Sequence, residues 1–291
     1  MKSTTQVRLN KLLAERGLAS RRGADKLIEE GLVLVNGKKV FELGIKVDPA
    51  TDKITVSGKP IRSKNQNIYI MFHKPKAVIT SMNDPLGRVT VAEYMTSVPG
   101  RVYPIGRLDW DSEGLILLTN DGDFAQKVMH PKEEVTKTYH VKLDGQPQAF
   151  QIKKLLTGVS IPEAGKVKAK HIEKLQIVKD KNKKTSDKND WYKIVITEGK
   201  NHQVREMFKK IGFDVIKLQR VAIGKLRLGQ LERGNFVYLN DAAIERIFMP
   251  DLPKETGIRE HRPKSTKKVA PPIKKKFYKG LPVTDMESDE K

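Results

Sequence analysis

Between Gly106 and Asp123 the chain reads Gly-Arg-Leu-Asp-Trp-Asp-Ser-Glu-Gly-Leu-Ile-Leu-Leu-Thr-Asn-Asp-Gly-Asp, which sets Asp109, Asp111 and Glu113 at alternate positions ahead of an apolar run. A carboxylate on a glycine-flanked turn backed by a strand can serve as base, nucleophile or charge stabiliser, because the strand holds it and the turn leaves it open. Two other readings compete. Asp109, Asp111, Glu113 and Gly114 follow the opening of a calcium loop, with oxygen ligands at alternate positions and glycine sixth. The twelfth position, where a bidentate glutamate belongs, is Asn120, and a strand-like run follows where a helix should leave, which argues against calcium. The remaining reading is a polar turn before a core strand.

The elements that would position this loop divide the chain in three. Residues 7–60 pattern as a compact unit. Leu9, Leu12 and Leu13 repeat at helical spacing before Gly17. Ser20 is placed to cap a second helix carrying Ala24, Leu27 and Ile28 inward. Leu32–Lys38 then reads as a strand with an Asn36-Gly37 turn, and 53–59 as a further strand. Basic residues Arg8, Lys11, Arg16, Arg21, Arg22 and Lys26 decorate the helical pair, with Lys38 in the following turn. Pro60–Asn67 reads as a linker. Residues 68–250 form the second unit, with strands expected over 68–72, 115–119, 139–143, 172–178, 191–197, 215–218 and 236–239. Helices are expected over 148–156, 201–211 (Asn201 as cap) and 242–248. Strands without regular strand–helix alternation predict an α+β domain with a mixed, mainly antiparallel sheet. Lys179–Asp190 reads as a charged hairpin tip, and 254–291 as a disordered basic tail.

Bulk composition narrows the partner. Lys and Arg number 56 against 35 Asp and Glu, a net charge of +21, and a surplus of that size points to nucleic acid or an anionic membrane. No apolar run approaches the ~18 residues of a membrane span, and the N-terminus lacks the apolar core of a signal peptide. With no cysteine, disulfides, thiolate metal sites and cysteine catalysis are excluded, and the six histidines show no ligand-like pairing. A cytoplasmic RNA or DNA partner, with no metal and no membrane, is the expectation.

The pattern Gly106-Arg107-Leu108-Asp109, two residues, Ser112, one residue, Gly114-Leu115, then a strand ending Thr119-Asn120-Asp121-Gly122, resembles the catalytic motif of the pseudouridine synthases. Within that family it is most similar to the branch containing the small-subunit rRNA enzyme and its large-subunit relatives. Lys74-Pro75 after a strand looks like the family's first motif. Lys137-Thr138-Tyr139 looks like the segment with its active-site tyrosine. Glu198-Gly199-Lys200-Asn201-His202-Gln203-Val204-Arg205-Glu206-Met207, followed by Lys217-Leu218-Gln219-Arg220, looks like its third motif. The helix–Ser20-Arg21-Arg22–helix–Val35-Asn36-Gly37-Lys38 arrangement is similar to the RNA-binding domain named after ribosomal protein S4. Together the resemblance covers roughly residues 7 to 250.

The resemblance implies a cofactor-free isomerisation: the bond from ribose C1′ to uracil N1 breaks, the base turns, and C5 rejoins C1′. It makes Asp109 catalytic, whether by attack on the sugar, attack on the base or proton abstraction from C2′, with glycoside hydrolysis as the chemical analogy. It implies that Tyr139 stacks on the flipped uracil and moves a proton, and that Arg205 pairs with Asp109 through its planar fork. Val204 and Leu218 then line the pocket, and Arg107 contacts a phosphate or locks the loop. Arg8, Lys11, Arg16, Arg21, Arg22, Lys26 and Lys38 become phosphate contacts that position RNA without reading bases. The implied target is 23S rRNA near the peptidyl-transferase region, free or in a precursor particle, acted on by a monomer. A 16S rRNA target and a non-catalytic ribosome-assembly factor are the alternatives. No glycine-rich cofactor loop supports a methyltransferase or synthetase.

Overall fold

A computed structural model describes residues 6–61, 66–175 and 191–249. In the N-terminal part β1 (Val7–Arg8) leads into α1 (Leu9–Glu15) and α2 (Arg21–Glu29), followed by β2 (Val33–Val35), β3 (Lys38–Lys39), β4 (Lys46–Val47), β5 (Ile54–Val56) and β6 (Lys59–Pro60). Leu9, Leu12 and Leu13 bury the inner stripe of α1 against Ala24 and Ile28 of α2, with Val33, Val47 and Ile54 completing this core. The Ser20 hydroxyl accepts from the Gly23 amide, capping α2 as its position predicts. Asn36 and Gly37 both adopt positive φ, the geometry of a two-residue hairpin turn joining β2 to β3. One expectation fails here. Residues 53–59 are not one strand: Ser57 and Gly58 form a second such turn, so Lys59 belongs to β6.

The second part contains β7 (Tyr69–Lys74), β8 (Tyr103–Ile105), β9 (Glu113–Thr119), α3 (Gly122–Met129), β10 (Lys137–Leu143), α4 (Ala149–Thr157), β11 (Val159–Ile161), β12 (Gly165–Val167) and β13 (His171–Lys174). It continues through β14 (Trp191–Ile196), α5 (Gln203–Lys210), β15 (Val215–Ile223), β16 (Leu226–Arg227), β17 (Phe236–Tyr238) and α6 (Asp241–Phe248). One sheet runs β13-β14-β10-β15-β9-β7-β17, with β8 on β9 and β16 on β15. Its pairings are antiparallel except for β15 beside β9, so the sheet is mixed and mainly antiparallel, as the pattern predicts.

The unbroken run Leu115-Ile116-Leu117-Leu118 is apolar on both faces because both faces of β9 are covered. Leu115 and Leu117 meet Phe124, Ala125 and Val128 of α3 together with Ile247 of α6. Ile116 and Leu118 meet Val91, Met95 and Val98 on the opposite side. A third cluster joins β10, β14 and β15 to Val204, Met207 and Phe208 of α5. Helix α3 was not among the expected helices: the Asp121 carboxylate accepts from the Asp123 and Phe124 amides, so the Asn-Asp-Gly-Asp segment that follows β9 opens a helix. Helix α5 starts two residues later than its pattern suggests, with His202 and not Asn201 at its head. The Lys179–Asp190 tip and the 254–291 tail lie outside the described residues.

Candidate active site

Three adjacent strands build the back wall. Arg220 of β15 stands in register with Gly114 of the parallel neighbour β9 and with Tyr139 of the antiparallel neighbour β10. Gly114, at φ 120°, permits this approach: a Cβ there would lie 2.2 Å from the Arg220 carbonyl oxygen and 2.6 Å from its amide nitrogen. The loop carrying Asp109 therefore enters β9 directly against Arg220. The N-terminal end of α5 forms the facing wall. A cavity of about 390 Å³ lies between them, lined by Arg107, Asp109, Lys137, Tyr139, His202, Val204, Leu218 and Arg220 among others.

The loop acids are not equivalent. Arg205 Nη2 donates to Asp111 Oδ2. Glu113 is gripped by Arg233 through two bonds of 2.8 and 3.0 Å, and this grip outweighs burial and draws its carboxyl below the usual range. The carboxylate of Asp109 accepts no hydrogen bond among the described residues and faces the His202 imidazole, with Nδ1 at 3.7 Å from Oδ2. Two of the three acids are thus held by separate cations, an arrangement unlike a common metal cage. Asp109 is left open toward the cavity.

Lys74, at the end of β7, fixes the loop from behind. Its side chain is completely buried, and Nζ donates to the carbonyl oxygens of Pro75 and Ser112, each at 2.9 Å. Burial drives the ammonium pKa down to about 8, while the charges of Asp109 and Asp111 work in the opposite direction. Thr80 locks the other side, donating to the Leu108 carbonyl at 2.7 Å and accepting from its amide at 3.2 Å. Asp109 is held through its backbone while its side chain stays open.

Asp109, Tyr139, Val204, Leu218 and Arg107 meet at one cavity, as their expected roles require. Arg205 does not. Val204 points into the cavity, and Arg205, one position on along the helix, is turned away toward Asp111 and the Val215 carbonyl, to which Nη1 donates at 2.8 Å. The expected Asp109–Arg205 pair is absent, and Arg205 instead ties α5 to the loop and to the start of β15. Of the N-terminal cations, Arg8, Arg21, Arg22, Lys26 and Lys38 are exposed and Arg16 is half-buried. Lys11 differs from them: its ammonium bonds Asp123 at 2.7 Å and lies 3.6 Å from Glu15, and the bond to Asp123 raises its pKa.

Lys137, His202 and Arg220 carry no assigned role in the sequence reading, yet all three line the cavity. The guanidinium of Arg220 is buried. Nε donates to the Leu115 carbonyl at 2.7 Å, Nη1 lies 3.4 Å from the Tyr139 hydroxyl, and Nη2 has no partner among the described residues. Lys137 Nζ donates to the Thr197 carbonyl at 2.9 Å, and burial lowers its pKa to about 8 with Arg220 adding to the effect. Strand alternation offered a signal for two of them, since Lys137 and Arg220 are each two residues from an expected cavity residue on the same strand. His202 offered less, as its left-handed backbone (φ 47°) depends on how α5 meets the loop before it.

Comparison with known proteins accords with this architecture. The family model for RNA pseudouridylate synthase matches residues 68–210, and that for the S4 domain matches residues 7–54. The chain is 43% identical over 240 residues to the ribosomal large subunit pseudouridine synthase B of Bacillus subtilis, covering 82% of this chain and 95% of the relative. It is 38% identical over 244 residues to an RNA pseudouridine synthase of Aquifex aeolicus, covering 84% of this chain and 94% of that one. A crystal structure of a pseudouridylate synthase superposes with a TM-score of 0.57 at 28% identity, covering 83% of this chain and 99% of that one. The chain belongs to the RNA pseudouridylate synthase family and carries an S4 domain.

Proposed function

We propose that this member of the pseudouridine synthase family isomerises a uridine of ribosomal RNA, with 23S rRNA near the peptidyl-transferase region as its target. The large-subunit target rests on the similarity to the Bacillus subtilis large-subunit enzyme. The observation that carries the site assignment is the state of Asp109: it is the loop acid without a hydrogen-bonded partner among the described residues, and it opens on a cavity shared with Tyr139.

The residues take the following parts. The target nucleotide leaves its stack and enters the cavity, where the Tyr139 ring lies against the uracil and Val204 and Leu218 provide apolar walls. Asp109 meets the ribose or the base as the C1′–N1 bond breaks. Its carboxylate can bear on the electron-poor sugar carbon because its oxygens accept no hydrogen bond among the described residues. Arg107, Lys200 and His202, exposed at the mouth, receive the flanking phosphate. Arg205 is a positioning residue, acting through Asp111. The exposed cations Arg8, Arg21, Arg22, Lys26 and Lys38 grip the RNA backbone.

The test is tritium release from 23S rRNA bearing C5-tritiated uridine, incubated with the purified chain and no added cofactor. Rejoining through C5 expels that hydrogen. Release from 23S and not 16S rRNA is expected. Release from 16S alone would move the target to the small subunit, and no release from RNA or precursor particles that the protein binds would leave an assembly factor as the better reading.

A further inference from the structure

Arg220 lines the cavity and carries a donor that nothing among the described residues satisfies. Arg220 is 5% exposed, yet Nη2 has no hydrogen-bond partner among the described residues. An unmet donor on a buried charged group carries its full desolvation cost, and such a group calls for a specific explanation. The rest of the guanidinium is committed: Nε is fixed on the Leu115 carbonyl, and Nη1 faces the Tyr139 hydroxyl. Because the guanidinium is planar, these contacts fix the direction of Nη2 as well. Lys137 lines the same cavity and spends one N–H on the Thr197 carbonyl, which leaves ammonium donors for another acceptor.

Three features point to a base as that acceptor, and not a phosphate. Side chains suited to phosphate, the cations Arg107 and Lys200 and the His202 imidazole, stand exposed at the mouth, whereas Arg220 is deep. The deep end is flanked by the Tyr139 ring, Val204 and Leu218, surfaces suited to a flat ring. Asp109 does not satisfy the donor, since its carboxylate accepts no hydrogen bond among the described residues and faces His202.

We propose that Arg220 Nη2, supported by Lys137, donates to a carbonyl oxygen of the flipped uracil and holds the negative charge that the base acquires when it leaves the ribose. The inference rests on the synthase reading above. When C1′–N1 breaks, the bonding pair stays with the base, giving a uracil anion whose charge spreads onto its two carbonyl oxygens. After rotation C5 bonds C1′, the C5 proton leaves and N1 gains one, so no atom or electron is imported. A cation fixed beside a carbonyl oxygen favours the cleaved state over the bound nucleotide, which is the condition for accelerating the step. Asp109 and Arg220 would thereby divide the charges of the cleaved bond, the acid serving the sugar and the guanidinium serving the base.

The test pairs a protein change with an atom change. Target rRNA fragments are prepared with uracil, 2-thiouracil or 4-thiouracil at the modified position, sulfur being the weaker acceptor. Single-turnover conversion is followed by nucleoside chromatography for wild type, Arg220→Met and Arg220→Lys, the last keeping a charge if the methionine variant does not fold. Removing such a donor should slow conversion of the uracil substrate about 10²–10³-fold. One of the two sulfur substitutions should slow wild type on the order of tenfold and slow the variant no further, because the contact is already gone. Sulfur losses that multiply fully with the Arg220 loss at both positions, or a wild type indifferent to both sulfurs, would overturn the proposal. Failure of wild type to convert uridine in the fragment, in whole rRNA and in precursor particles would instead refute the synthase reading itself.

Discussion

Replacing Gly114 with alanine tests whether the close approach of β9 to β15 assembles the site. The added Cβ would lie 2.2 Å from the Arg220 carbonyl oxygen and 2.6 Å from its amide nitrogen, and both are backbone atoms that cannot swing aside as a side-chain tip can. The two strands must separate by about 1 Å or more, at the point where Gly114 pairs with Arg220. Overpacking of this kind costs roughly 1–3 kcal/mol. A φ of 120° adds about 1–3 kcal/mol for a residue with a side chain. The sum, about 2–6 kcal/mol, is a large part of the ~5–15 kcal/mol that holds a typical domain together.

Gly106 in the same loop is the internal control, because it too has positive φ but a Cβ there meets nothing within 4 Å. Gly106→Ala should therefore lose only the conformational part, about 1 kcal/mol. The assay is urea unfolding of the two variants and wild type at equal concentration, followed by circular dichroism, with tritium release measured in parallel. Gly114→Ala should unfold at clearly lower urea and lose turnover even where it is fully folded, because Arg220 and the Asp109 loop move apart. Equal midpoints for the two alanine variants would refute the claim that backbone contact, and not glycine's flexibility, decides this position.

Asp109→Asn, nearly isosteric, should keep the fold and RNA affinity while tritium release disappears; residual turnover within about tenfold of wild type would sink the assignment. Arg205→Lys should be weakened but active, since one ammonium cannot span Asp111 and the Val215 carbonyl as the fork does; wild-type turnover would show that this tie is unimportant. Lys74 and Lys137 have folded pKa values of about 8 against 10.5 in the unfolded chain, so the unfolded state binds more protons between these limits and their contribution to stability rises with pH across that window. Lys137→Met should flatten that rise in urea midpoints measured from pH 7.5 to 10, and an unchanged slope would contradict the burial argument. RNA affinity should fall steeply with salt, and Arg21→Gln with Arg22→Gln should reduce the slope of log affinity against log salt by roughly 1–2; an unaltered slope in filter binding would remove these two residues from the interface.

What the sequence determined by itself was local or periodic. The Leu9, Leu12, Leu13 stripe, the Ser20 cap and the Asn36-Gly37 turn depend on neighbours within a few residues, and each forms as the chain order implies. Both-face burial of β9 likewise follows from its unbroken apolar run. The cavity residues Asp109, Tyr139, Val204 and Leu218 were legible through the resemblance of their motifs to those of the family; by pattern alone Val204 and Leu218 read as core. Local signals were missed where two outcomes share one composition. Asp121-Gly122-Asp123 suits a turn as well as a helix start, and Ser57-Gly58 is a weaker turn signal than Asn36-Gly37.

Only the tertiary structure decided which charges meet. Arg205 is 96 positions from Asp109 and 94 from Asp111 along the chain, and spacing does not say which acid it reaches; the rotation of α5 against the loop sends it to Asp111. Arg220 became a cavity group because β15 pairs in parallel with β9 and antiparallel with β10, bringing it beside Gly114 and Tyr139. Its stranded Nη2 is a property of how completely the other contacts use the guanidinium. Hydrogen bonds and ion pairs act over about 3–4 Å, whereas sequence patterns report only the face on which a residue lies, so partners across strands are chosen by register and by helix rotation.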